Sequence, residues 1–149
     1  MPSLIETVRG TVRADECDQL GHMNVVYYTA RMSDAYTQLL ARVGMTAEFI
    51  AGRRMAFAAV RQEIDNLREV RAGDLIVFES GFVGLRPKGA TIRHEMRNAE
   101  TGDVAMRARI GLVNLDLERR RAAPIPAEIA ARIQAMLVAG PDPDGDHHG

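Results

Sequence analysis

An aspartate, a glycine, a histidine and an asparagine stand together in DQLGHMNVVYY, residues 18–28, directly ahead of an apolar-periodic segment. These residue types at this spacing suit acyl chemistry. The start of a helix presents unpaired N–H groups and partial positive charge, which hold the oxyanion that develops on an acyl carbonyl. A carboxylate on the loop just before such a helix reaches the same carbonyl, as a general base toward water or as a nucleophile. Asp18 and the amides around Asn24–Val26 supply both parts within one short segment. A structural reading explains the same residues one at a time: Asn24 caps the helix, Gly21 makes a turn, Asp18 bonds loop amides and His22 packs.

Other chemistries have less to build on. Cys17 is the single cysteine and has no neighbouring Cys or His of a known nucleophile signature. Asp15, Asp18 and His22 form no standard zinc spacing, so no metal site is expected. No Gly-rich phosphate loop is present, and Ser33 and Ser80 lack a nucleophile-elbow context. In the C-terminal GPDPDGDHHG, the DPDGD stretch starts like a calcium loop without the remainder of one.

The elements that would position the loop can be read from periodicity. Residues 4–13 form a first strand. From Val25 the pattern becomes helical: Val25, Tyr28, Met32, Ala35, Leu39 and Val43 lie on one face, with Asn24 as N-cap and Gly44 just past the C-terminus. Thr46 caps a short extra turn through Ile50. Met55–Asn66 and Leu75–Leu85 read as strands, separated by the turn REVRAGD. Ala90, Ile92, His94 and Met96 alternate with Thr91, Arg93, Glu95 and Arg97 as a half-buried strand. After the turn ETGD, Val104 to Leu112 repeats that alternation, and APIP leads to a last helix over Ala127–Val138. Short turns between the last three strands require antiparallel neighbours. A sheet with one apolar face is completed by laying the long helix across it, which gives a two-layer α+β domain.

The loop D-x-x-G-H-M-N-V-x-Y-Y entering a long helix resembles the hot-dog-fold acyl-CoA thioesterases, in the 4-hydroxybenzoyl-CoA thioesterase-like branch. The similarity runs over about residues 5–135 and includes the late LVNLDLERRRAAPIPAEI stretch. It implies a curved antiparallel five-stranded sheet wrapped around one long central helix, with a short C-terminal helix. Residues 1–139 would be the thioesterase domain and 140–149 a disordered tail. It also implies that Asp18 is the catalytic acid and that the carbonyl-polarising N–H comes from about Val25. His22 and Asn24 belong to the same motif, orienting Asp18, water or the thioester. Arg86 and Lys88 fall in the region that such enzymes use beside the bound nucleotide, with Thr91 as the nearest hydroxyl residue after that basic pair. The resemblance further implies a homodimer or homotetramer with sites between subunits, and no cofactor beyond the CoA of the substrate.

An acyl pocket between central helix and sheet would be walled by Tyr27, Tyr28, Met32, Phe57 and Val60. Two rival readings keep the fold: an enoyl-CoA hydratase or dehydratase using His22 with Asp18, and a non-catalytic acyl-CoA-binding protein. Composition narrows the classes further. The 149 residues fit one domain, and a formal net charge of -1 without a basic stripe argues against a nucleic-acid partner. No apolar run reaches the length of a membrane span, MPSLIETVRG does not read as a signal peptide, and one cysteine allows no internal disulfide. A cytoplasmic protein is the simplest expectation.

Overall fold

A computed structural model of the chain describes residues 2–138; the tail expected over 140–149 lies outside the described residues. In chain order the elements are β1 (Ile5–Thr11), a 3₁₀ turn (Ala14–Glu16), α1 (Val25–Arg42), α2 (Ala47–Arg53), β2 (Met55–Asn66), β3 (Leu75–Arg86), β4 (Gly89–Asn98), β5 (Val104–Asp116), β6 (Arg121–Ala122) and α3 (Ala127–Ala135). Helix α1 begins where Asn24 Oδ1 accepts the Val26 N–H, and it ends at Arg42, with Val43 as C-cap and Gly44 following at φ 89°. Thr46 does cap α2, through the Phe49 N–H at 3.1 Å, but α2 continues past Ile50 to Arg53. The last helix stops at Ala135, three residues short of the expected end.

The five long strands form one antiparallel sheet in the order β1-β3-β4-β5-β2. Two-residue β6 adds to β5, so the sheet has six strands rather than five. The apolar sides of its inner strands, among them Phe78, Phe82, Ile92, Met96, Met106 and Leu112, are buried with Tyr28, Met32, Ala35 and Leu39 of α1 in one core. This is the hot-dog arrangement, a curled sheet around a central helix. Val25 departs from the expected helix face: it is 54% exposed, because the sheet covers α1 only from Tyr28 onward. The outer side of β4 is also better covered than simple alternation predicts. Glu95 is only 4% exposed, held under Arg93 at 2.7 Å, Arg97 at 2.5 Å and Arg107 at 3.4 Å.

His94 is fully buried on the core side of β4. Its Nδ1 lies 2.7 Å from Ser80 Oγ, Ser80 Oγ lies 2.9 Å from Thr7 Oγ1, and Thr7 Oγ1 donates to the Phe78 carbonyl at 3.3 Å. These bonds run in one direction when Nδ1 carries the proton, which leaves Nε2 as a bare, buried nitrogen without a partner. Burial pushes the imidazole down to about 4. The unfolded chain therefore takes up a proton first as the pH falls, so stability is intact above the usual histidine range and declines from there toward about 4. This group alone should lower the unfolding free energy by about 1.5 kcal/mol between pH 6.5 and pH 5. Urea titrations at the two values measure it. His94→Gln should lose that part of the slope, and an equal slope in the variant would assign it elsewhere.

Candidate active site at the start of the central helix

The segment before α1 is shaped by its own short-range bonds. Cys17 and Met23 bridge antiparallel, closing the loop between them. Inside it the Asp18 N–H donates to the His22 carbonyl at 3.0 Å, and the Gly21 N–H donates to the Asp18 carbonyl at 3.0 Å. Gly21 sits at φ 82°, a conformation that costs glycine little. Asp18 Oδ1 accepts the Leu20 N–H at 2.9 Å. Two backbone bonds then fasten the loop to the body of the protein: Met23 N–H to Val70 O at 2.8 Å and Asn24 N–H to Glu16 O at 2.8 Å.

The amides around the helix start are not equivalent. That of Asn24 is used by Glu16, that of Val26 by the Asn24 side chain at 3.0 Å, and that of Tyr27 by the Asn24 carbonyl at 2.9 Å. Val25 N–H has no acceptor among the described residues. Val25 and Asp18 line the same hollow of about 370 Å³, together with His22, Met23, Asn24, Tyr28 and residues 66–69. One segment thus brings a carboxylate and an unspent helix-terminal N–H to one space.

Residues 66–69, Asn66, Leu67, Arg68 and Glu69, come from the end of β2 and the connection to β3. By sequence alone this stretch reads as a strand end and a turn. Glu69 Oε2 lies 3.0 Å from His22 Nε2, and Tyr28 Oη donates to the Arg68 carbonyl at 3.0 Å. No local motif announces contacts across some 40 residues of chain.

The expected wall residues divide. Tyr28 lines the hollow, whereas Met32 and Phe57 are buried in the core, and Tyr27 is 36% exposed on α1 outside the hollow. Val60, Arg86 and Lys88 line a different hollow, of about 620 Å³, with Arg61, Pro87, Gly89, Gly111 and Ala122. Thr91 is buried beside it and accepts from Arg86 Nη1 at 3.1 Å. Val60 and Asn66 lie on the same strand, so the two hollows stand about 20 Å apart along β2. Cys17 is half-buried, its Sγ 3.6 Å from the Arg13 carbonyl. Among the described residues no group of three or more His, Cys, Asp or Glu is placed to hold a metal ion, and no helix is long and apolar enough to cross a membrane.

The curled sheet and its central helix give the fold class, and comparison with known proteins agrees. Residues 12–133 match the model of the thioesterase-like superfamily. The chain belongs to that superfamily. It is 26% identical over 132 residues to the L-carnitine dehydrogenase/betainyl-CoA thioesterase of Agrobacterium fabrum, covering 89% of this chain but 27% of that protein. It therefore spans about a quarter of the length of that relative. It is 23% identical over 148 residues to the betainyl-CoA thioesterase of Pseudomonas aeruginosa, covering 97% of this chain and 93% of that one. In fold it is similar to a Staphylococcus aureus protein solved in complex with CoA, at a TM-score of 0.87 and 15% identity, covering 100% of this chain and 95% of the other.

Proposed function

We propose that the chain hydrolyses an acyl-CoA thioester to a free carboxylic acid and CoA. One observation carries this reading: Asp18 and the unspent Val25 N–H line one hollow. The Val25 N–H holds the thioester oxygen as it becomes an oxyanion. Asp18 takes the proton of a water whose oxygen attacks the carbonyl carbon; the C–S bond then breaks, and the proton leaves with the CoA sulfur. Asp18 as direct nucleophile is the alternative, with an acyl-aspartyl anhydride hydrolysed in a second step. Asn24 builds the helix start, and His22 orients the loop. Thioester hydrolysis is the activity for which the family and both curated relatives are named. A betainyl group is therefore the first acyl group to try. The test is free-thiol release from a panel of short, long, aromatic and quaternary-amine acyl-CoAs. Release from none of them would overturn the reading.

The same reading assigns the second hollow to CoA. Arg86 and Lys88 would neutralise its phosphates. One chain alone separates that hollow from Asp18 by the length of half a strand. The free edge of β2 offers a second copy a place to pair. An antiparallel pairing of two β2 strands would bring the basic hollow of one subunit toward the Asp18 site of the other. We therefore propose a homodimer as the working unit, alone or within a tetramer, and a cytoplasmic location, where a single cysteine stays reduced. Replacing Arg86 and Lys88 together by Ala should raise KM about tenfold with kcat little changed, since phosphate binding is made equally in ground and transition states. The effect should shrink as salt screens the wild-type contact. A variant with the wild-type KM would remove the two residues from CoA binding.

A further inference from the structure

The acyl group is the open part of that reading, and the next step rests on it. We infer that the site selects acyl groups carrying a positive charge near the carbonyl, and that Glu69 is the residue that selects them.

Glu69 reaches the hollow from the β2–β3 connection, on a different element from Asp18. Its backbone is fixed on both sides. Arg68 is held through its carbonyl by the Tyr28 hydroxyl at 3.0 Å, and Val70 is held through its carbonyl by the Met23 N–H at 2.8 Å. The carboxylate itself is oriented by His22 Nε2 at 3.0 Å, yet its side chain stays 64% exposed. His22 Nε2 meets one carboxylate oxygen, Oε2, and the other, Oε1, is left to face a ligand.

That charge is of no use to hydrolysis as such. A second carboxylate beside Asp18 opposes the oxyanion that forms at Val25 and the carboxylate product that must leave. It is useful when the acyl chain brings a cation of its own. Arg68 is the only Lys or Arg among the lining residues, against two acids, Asp18 and Glu69. The lining is mixed: Asn66, Arg68 and Glu69 stand with the apolar Met23, Tyr28 and Leu67. Charge rather than shape therefore points to the occupant, and a quaternary ammonium one carbon from the carbonyl, the betainyl arrangement, supplies the matching cation.

The test compares betainyl-CoA with 3,3-dimethylbutanoyl-CoA, which has the same shape with carbon in place of the charged nitrogen. The wild type should prefer the cation by about tenfold or more in kcat/KM. Glu69→Gln keeps the size and a hydrogen bond to His22, and should bring the ratio close to one; Glu69→Lys should invert it. The ratio is taken on one preparation, so a partly folded variant does not distort it. A measurement on the wild type alone points the same way: free betaine should inhibit more strongly than 3,3-dimethylbutanoate. Equal rates for the two esters in the wild type, with thiol released from both, would overturn the inference and leave the thioesterase reading standing. So would a Glu69→Gln protein in which both rates fall together, since Glu69 would then only position His22. No thiol release from any ester would overturn both.

Discussion

Asp18→Asn should lower kcat by about 10²–10⁴-fold, the range expected when a positioned base is lost. The substitution is nearly silent structurally. Asparagine keeps an Oδ1 to accept the Leu20 N–H, so the turn that aims the side chain survives. The amide cannot take a proton from water, and it is a poor nucleophile. Thermal unfolding should therefore match the wild type while thiol release collapses, with KM little changed if Asp18 acts mainly in the transition state. Wild-type turnover in the variant would remove Asp18 from the mechanism. Isotope labelling of the wild type distinguishes base from nucleophile. In a single turnover in ¹⁸O-labelled water, a general base delivers label straight into the acid product. Label retained in the Asp18 side chain marks a nucleophilic Asp18 whose anhydride water opens at the aspartyl carbonyl, so that an unlabelled aspartyl oxygen leaves with the product. The Val25 N–H is unaffected by the change, so the residual rate of Asp18→Asn also measures what the oxyanion contact achieves alone.

Much of this site was legible because its parts are local. Asn24, the apolar period and Gly44 delimit α1 within a few residues, and Asp18 precedes the cap on the same segment. The three strands β3, β4 and β5 are consecutive and joined by short turns, so their order could be reasoned from turn length. What escaped is long-range. β2 pairs with β5 at the far edge rather than with β3, its neighbour in sequence. The stretch Asn66–Glu69 looks like the end of a strand, and only that placement brings it to Asp18. Period alone puts Val25 on the buried helix face, although the first turn of the helix extends past the sheet that covers the rest. Two polar residues were missed for the same reason. His94 alternates correctly as a core position, but its bonds to Ser80 and Thr7 require three strands to be in register. Glu16, which no motif in the sequence singles out, is the second.

Glu16→Ala should cost about 3–5 kcal/mol, the scale for removing one partner of a buried ion pair. The side chain is 2% exposed and accepts from Arg31 at two points, Nε at 3.0 Å and Nη2 at 2.6 Å. It also accepts the Arg13 N–H at 2.9 Å, and Arg31 Nη2 reaches the Thr11 carbonyl at 2.8 Å. Alanine would strand a largely buried guanidinium from α1 against the loop. For a domain whose whole stability is of order 5–15 kcal/mol, that approaches unfolding at room temperature. Urea denaturation measures it, and a loss below about 1 kcal/mol would mean that Arg31 finds another partner or water. Pairing Glu16→Leu with Arg31→Met should recover much of the loss, because burying neither charge removes the desolvation cost of both. The acid limb carries the same signature. The bonds from Arg31 hold the Glu16 carboxyl below the usual carboxylate range. Its contribution is therefore complete above that range and is lost as the pH falls through the lowered value. Glu16→Gln should lack this acid-sensitive part and be less stable at neutral pH. The consequence reaches the chemistry, since the Glu16 carbonyl holds the Asn24 N–H and the loop bearing Asp18 leaves from this turn. In Glu16→Gln, assayed well below its melting temperature, kcat should fall further than the folded fraction does. An activity that simply tracked the folded fraction would make the buried pair a matter of stability alone.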